Sequence, residues 1–328
     1  MYMRIQVYNS KKTIQYDLDI KNRLTILKGN SASGKSILAK MIDAHSVDKS
    51  IIIISDIPVR HLTYSTLELN PELSSDVVYI LDEYDGVDTK LASKYINNRN
   101  YKFILITRYE INALINYSTD DIYELYKSGK IIKNRKLYAH INDNRNIKLD
   151  KINKFITEDS GSGKEFFENL QNITVTSTNG NGNITKDIVD NSIIFFDRVS
   201  FGPYIRKLSE LILYKNIGII CPQSFEHLLL TSELFNTGKI QAEYEKINSE
   251  CLRLYPNTTL ETVYYRLLVN ITSELNIKYS KSNIDNWFLE DKQYSKVIRS
   301  IDKKYNIDLF KLNNSAKENN VRSSFSWE

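Results

Sequence analysis

Cysteine is nearly absent. The chain has 328 residues and two cysteines, Cys221 and Cys251, neither in a CxxC pair. That excludes a disulfide-stapled scaffold, argues against a structural zinc site and fits a reducing compartment. Proline (5) and glycine (11) are too few for a collagen-like or low-complexity chain. Long apolar runs are missing too. The longest aliphatic run, Ile51–Ile54, falls far short of the roughly 20 residues that span a bilayer. The opening MYMRIQVYNSKKTIQYDL has no apolar signal-peptide core. These absences predict a cytoplasmic protein with no membrane partner. No sign of charge dominates: 44 basic against 40 acidic residues leave +4, too even to announce a nucleic-acid binder, although a local basic groove would suffice for one. What remains, 41% hydrophobic and 26% charged, is ordinary globular composition with length enough for two domains.

The pattern along the chain is α/β. Two alternating segments, Arg4–Tyr8 and Thr13–Leu18, flank Asn9–Lys12 as a hairpin. Leu24–Leu27 runs into a glycine loop, and Ser36–Ile42 has helical spacing. Short strands at Ile51–Ser55, Val77–Leu81 and Phe103–Thr107 alternate with other segments, which predicts a largely parallel sheet. Residues 122–138 predict a second hairpin around Ser128-Gly129. The polar run Asn142–Asn146 reads as a linker. A further αβ unit follows, with strands at Lys154–Thr157, Ile193–Phe196 and Ile217–Cys221 and a helix at Glu165–Leu170. Thr174–Asn183 reads as a loop broken by a short strand. From about residue 232 the pattern is helical, with candidates at 240–254, 259–275 and 291–304. The expected organisation is a P-loop domain over 1–145, a smaller α/β domain over 146–232, and a helical extension with a polar tail over 233–328.

Gly29-Asn30-Ser31-Ala32-Ser33-Gly34-Lys35-Ser36 matches GxxxxGK[ST] in full. Average composition produces such a match in only about 1% of chains this long, and here a strand leads in and a helix leads out. The chemistry is direct. Gly29 and Gly34 let successive backbone N–H groups curl around an anion. The following helix adds its positive end. Lys35 supplies a mobile cation for the β- and γ-phosphates, and the Ser36 hydroxyl is a Mg²⁺ ligand. Residues 29–36, with Ile37 behind them, are therefore the expected ATP-binding positions. Downstream, Val77–Leu81 is an apolar strand ending in Asp82-Glu83, a Walker B pattern. Asp82 is the expected second Mg²⁺ ligand, and Glu83 the base that orients or deprotonates the attacking water. Thr107-Arg108 ends the next strand, where it can sense a γ-phosphate or pair with a nearby acid.

The hairpin, the phosphate loop, the Asp-Glu strand end and the strand after it resemble the ABC-type ATPase core over roughly residues 1–140. The chain departs from that pattern in two ways: it has no LSGGQ-like signature, and the interval from Lys35 to Asp82 is too short for the usual helical subdomain. The resemblance implies a pared-down ATPase domain. Adenine is the expected base, since no NKxD motif is present.

Ser160-Gly161-Ser162-Gly163-Lys164 imitates a second phosphate loop. Glu158 and Glu165 stand where glycine and Ser/Thr are required, and two acids would repel phosphate. Acids instead recur at strand ends: Glu158, Asp197 and Glu226. Acids at adjacent strand ends can converge on a divalent metal that activates water. This order resembles the TOPRIM-like domains fused to ATPases in the OLD family of bacterial nucleases, over roughly residues 150–232. The resemblance implies a metal site at Glu158, Asp197 and Glu226, and nucleic acid as partner. Val199 stands where the family has a second metal-binding Asp. Two readings of the whole chain follow. In one, the ATP state licenses a metal-dependent phosphodiesterase. In the other, it reshapes a noncatalytic module that binds a partner, whether nucleic acid, a second copy or a separate protein.

Overall fold

The computed structural model describes residues 3–29, 33–69, 71–82, 89–98, 100–108, 117–235, 238–243 and 259–312. These divide into two compact units, one before and one after the Ala139–His140 boundary. The class is mixed α/β, with one large mixed sheet and one parallel sheet.

The first unit is built on nine strands: β1 Met3–Asn9, β2 Gln15–Ile20, β3 Leu24–Lys28, β4 Ile51–Ser55, β5 Val59–Leu62, β6 Val78–Asp82, β7 Lys102–Ile106, β8 Ile122–Ser128 and β9 Ile131–Lys136. Their order in the sheet is β4-β1-β2-β9-β8-β3-β7-β6-β5. From β8 to β5 by way of β3 all neighbours are parallel. Every residue of β3 and β6 is buried, the signature of strands covered on both faces. Helix α1, Lys35–Ala44, turns Leu38, Ala39, Met41 and Ile42 into a core with Ile5, Val7, Leu27, Ile80 and Ile104. Shorter helices α2 (Tyr64–Glu68) and α3 (Thr89–Ile96) precede β6 and β7.

β4 departs from expectation. It is not in the parallel set but lies antiparallel on β1, with Val7 opposite Ile53. Its burial alternates, with Ile51 buried and Ile52 and Ile54 exposed, the behaviour of an edge strand. The edge strand β5 (Val-Arg-His-Leu) carries too little apolar pattern to be read from sequence.

The second unit holds a four-stranded parallel sheet, β10 Lys154–Thr157, β11 Thr174–Ser177, β12 Ser192–Phe195 and β13 Ile217–Ile220, in the order β11-β10-β12-β13. Helices α4 (Ser162–Phe167), α5 (Asn181–Asp187), α6 (Ile205–Leu211) and α7 (Phe225–Leu230) connect and follow these strands. An aromatic core joins them: Phe155 stacks on Phe167 at 4.3 Å between centroids, and Phe167 lies 4.9 Å from Phe195. The helical extension supplies α8 (Leu260–Glu274) and α9 (Asp291–Tyr305), whose Leu268, Val297, Ile298, Ile301 and Tyr305 enter this same core. The candidate helix at 240–254 is seen only as helical residues 238–243; its remainder lies outside the described residues. The Asn-Gly stretch expected to be loop begins α5 at Asn181.

Within the run Asn142–Asn146, Asp143, Arg145 and Asn146 are exposed as a linker's residues would be, but Asn144 is not. Asn144 is buried and donates to the carbonyls of Ile219 (2.9 Å) and Tyr305 (2.7 Å), while the Ile219 N–H donates to its Oδ1 (2.8 Å). A side chain with both donors and acceptors bridges a strand and a helix end there, which a solvated linker residue would not do.

Candidate functional site

The phosphate-loop segment leaves β3 at its carboxyl end and enters α1. Gly29 (φ +137°) and Gly34 (φ +88°) both lie in backbone conformations that favour glycine. Asn30, Ser31 and Ala32 lie outside the described residues. The Lys35 ammonium is folded back across the loop and donates to the Gly29 carbonyl and to Ser33 Oγ, both at 2.7 Å. α1 has no acidic residue in its first turn, so nothing on the helix opposes an anion at its N-terminus. Ser36 is half-buried and Ile37 exposed.

A residue not anticipated from sequence stands under this loop. Tyr16 of β2 is buried and donates its hydroxyl to the Gly34 carbonyl at 2.7 Å. Burial raises its phenol to about 12, so it stays a donor at any physiological pH. The same carbonyl also accepts from the Leu38 N–H at 3.0 Å. A Cβ at position 34 would sit 2.8 Å from the Tyr16 oxygen, so the tyrosine and the left-handed backbone both require glycine here.

Asp82 ends β6 and is buried. It is level with Ile106 of β7, which is level with Leu27 of β3. The acid and the loop therefore share one sheet edge, separated by the single strand β7. The Thr107 N–H donates to the Leu27 carbonyl at 3.2 Å, which holds buried Thr107 at that same edge; Arg108 beside it is exposed. Glu83, the expected base, lies outside the described residues.

In the second unit the strand order changes direction at β10, with β11 on one side and β12 on the other, and crevices at such points gather ligands. Glu158 and Asp159 follow β10, Asp197 follows β12, and Glu226 opens α7 after β13. Glu158 and Asp197 meet: the Asp197 N–H donates to Glu158 Oε2 at 3.0 Å. Glu226 is held differently, accepting from Ser224 Oγ (2.9 Å) and Tyr279 Oη (3.1 Å). Among the described residues no group of three His, Cys, Asp or Glu side chains is arranged to hold a metal ion, and a metal shared by Glu158, Asp197 and Glu226 stays an expectation.

The imitation phosphate loop is filled from within. The Asp159 carboxylate accepts N–H bonds from Gly163 and Lys164 at the start of α4, where an anion would otherwise sit. A segment remote in sequence covers this turn. Ser162 N–H donates to the Lys281 carbonyl (2.9 Å), Ile284 N–H donates to Glu165 (2.7 Å), and Tyr279 Oη lies 3.1 Å from Ser162 Oγ. A Cβ on Gly161 would stand 2.1 Å from the Lys281 carbonyl oxygen, so glycine is what admits the segment.

The electrostatics are those of acids crowded out of water. Burial raises Glu158 to about 7, with Glu261 and Asp159 adding repulsion. Burial, then Glu158 and Glu226, push Asp197 well above the ordinary carboxylate range. Burial also raises Glu226 and Asp159, and Lys281 partly opposes both shifts. Lys281 pairs with Glu261. Burial alone would lower its ammonium, but Glu261, Glu226 and Asp197 together hold it above its usual value. Tyr279, Glu261 and Lys281 complete this cluster from over a hundred positions downstream of Glu158, and no local pattern marks them.

No protein-family model, no curated protein and no solved structure matches the chain. No helix among the described residues is long and apolar enough to cross a membrane.

Proposed function

We propose that the first unit binds and hydrolyses ATP, and that its nucleotide state controls the second unit. One observation supports this most: a full GxxxxGK[ST] segment, with glycine conformations at both ends and its lysine folded over the loop, shares a sheet edge with buried Asp82. These residues fit a Mg²⁺-bound triphosphate. Residues 29–36 would hold the phosphates through backbone N–H groups and the Lys35 ammonium, and Ser36 and Asp82 would hold the metal. Mg²⁺, when bound, supplies charge neutralisation on the phosphates. The chain's own contribution is positioning: the Tyr16 hydroxyl fixes the loop-to-helix junction, and Lys35 leaves the Gly29 carbonyl to meet the γ-phosphate. Glu83 is the proposed base. Such a protein works where ATP is plentiful and thiols stay reduced, and the cytoplasm is the compartment we propose for it.

For the second unit we favour a module that binds nucleic acid and has lost, or never had, a metal-dependent cleavage step. Val199 in place of an acid supports the noncatalytic reading. The Glu158–Asp197 pair supports the alternative, a phosphodiesterase of the OLD type. A cleavage assay with Mg²⁺ or Mn²⁺ separates the two. Cleavage by the wild type that is lost in both Glu158→Ala and Asp197→Ala favours the enzyme; wild-type protein inert on DNA and RNA favours the switch. For the first unit, Lys35→Ala should abolish ATP turnover, and unchanged turnover would refute the assignment.

A further inference from the structure

Helix α9 is divided by sign as well as by polarity. Its buried residues, Tyr294, Val297, Ile298, Ile301 and Tyr305, anchor it to the second unit's core. On the opposite face stand Lys292, Lys296, Arg299 and Lys303, all exposed. At about 100° per residue these four fall within a sector of roughly 60°, and at about 1.5 Å per residue they run some 16 Å along the axis. The helix's two acids are outside that sector. Asp291 precedes it, and Asp302 is turned to cap the chain, accepting N–H bonds from Leu309 (2.7 Å) and Phe310 (3.1 Å). The Arg299 guanidinium is braced 5.5 Å above the Phe310 ring, and Lys296 Nζ reaches the Glu233 carbonyl at 3.3 Å. A face that served only solvation would mix signs and gain from i,i+4 pairs. This one is cationic along its length, at spacings of about 4.5–6 Å.

We propose that this stripe is a nucleic-acid contact surface, on which Lys292, Lys296, Arg299 and Lys303 follow successive phosphates of one strand without reading bases. Its complement is a polyanion with regularly spaced single charges, and a sugar-phosphate backbone has that chemistry. The inference extends the reading that the second unit engages nucleic acid, and it lies on the helical extension rather than at the carboxylate cluster.

The test uses the full chain and a fluorescent 30-base-pair duplex of arbitrary sequence, followed by anisotropy between 50 and 200 mM KCl. Four phosphate contacts predict a log–log slope of about −3.6, roughly a 100-fold loss of affinity over that range. Replacing all four cations by glutamine should flatten the slope by 3 to 4 and weaken binding at least tenfold at 50 mM salt, with far-UV circular dichroism unchanged. If that variant does not fold, Lys292→Gln and Lys303→Gln singly should each flatten the slope by about 1. Wild type that binds no duplex or single strand overturns both the stripe and the nucleic-acid reading. Wild type that binds while the variants match its affinity and slope overturns the stripe alone. Loss of binding to phosphatidylserine vesicles with duplex binding intact assigns the face to a membrane and also overturns it.

Discussion

The Gly34–Tyr16 contact can be weighed by a double-mutant cycle. Gly34→Ala places a side chain in the left-handed region, at about 1–2 kcal/mol, and pushes its Cβ to 2.8 Å from the Tyr16 oxygen. Overpacking of that kind costs about 1–3 kcal/mol, and reduced freedom of the unfolded chain returns up to about 1 kcal/mol. The single variant should lose about 2–4 kcal/mol. Tyr16→Phe removes the 2.7 Å hydrogen bond to the Gly34 carbonyl, which keeps its Leu38 partner, so it should lose only about 1 kcal/mol. In the double variant the nearest tyrosine atom becomes the ring carbon, 3.7 Å away in the native geometry and in ordinary contact. The double variant should therefore be more stable than the sum of the singles by about 1–2 kcal/mol. Hydrogen exchange over β2, β3 and α1 reads the first unit separately from the second, and binding of a fluorescent ATP analogue reads the loop. Strict additivity in exchange, or a Tyr16→Phe protein with unaltered nucleotide affinity, would refute the claim that the tyrosine sets the loop-to-helix junction.

Other perturbations report on the second unit. Gly161→Ala should force the Lys281 backbone away, breaking the Ser162–Lys281 hydrogen bond and releasing Tyr279 from Glu226; the cost is about 2–4 kcal/mol, visible as a lower unfolding midpoint and faster exchange across 279–284. Asn144→Ala leaves an N–H and two carbonyls of the β13–α9 bracket without partners and should cost about 3 kcal/mol, read from urea unfolding by Trp287 emission in a Trp327→Phe background. Glu158 rises from an ordinary 4.5 to about 7 on folding. Its protonated form therefore favours the folded state, and that stability is present below about 4.5 and lost as pH rises through about 7. The urea midpoint should fall across that window, and Glu158→Gln should flatten the fall; a midpoint that climbs with pH in the wild type would contradict the burial of this carboxylate.

How much was legible in advance follows from the range of the forces involved. Strands β3, β6 and β7, with α1, were readable because each carries its own apolar pattern and a glycine loop punctuates them. The two hairpins were readable from alternation around Asn9–Lys12 and Ser128-Gly129. The position of β4 was not, because four consecutive isoleucines look alike for a central strand and for an edge strand, and only pairing with β1 decides. The acids that spoil the imitation phosphate loop, Glu158 and Glu165, are visible in the sequence; that Asp159 occupies the turn itself depends on the φ/ψ geometry of the Gly161–Lys164 segment. Tyr16 looks like any alternating strand residue until Gly34 is set beside it. Tyr279, Lys281 and Glu261 reach the carboxylates only through packing of the helical extension, a long-range event that no local period encodes. Asn144, read as linker, shows the same limit: a polar residue reads as solvated unless its buried partners are known.

The central claim is that the turn after β3 binds a triphosphate. Titration calorimetry with a nonhydrolysable ATP analogue and Mg²⁺ tests it most directly. The wild type should bind one equivalent. Lys35→Ala should give no heat while the urea unfolding of the second unit is unchanged. Wild-type protein silent toward every nucleoside triphosphate, or a Lys35→Ala variant with undiminished affinity, would contradict it.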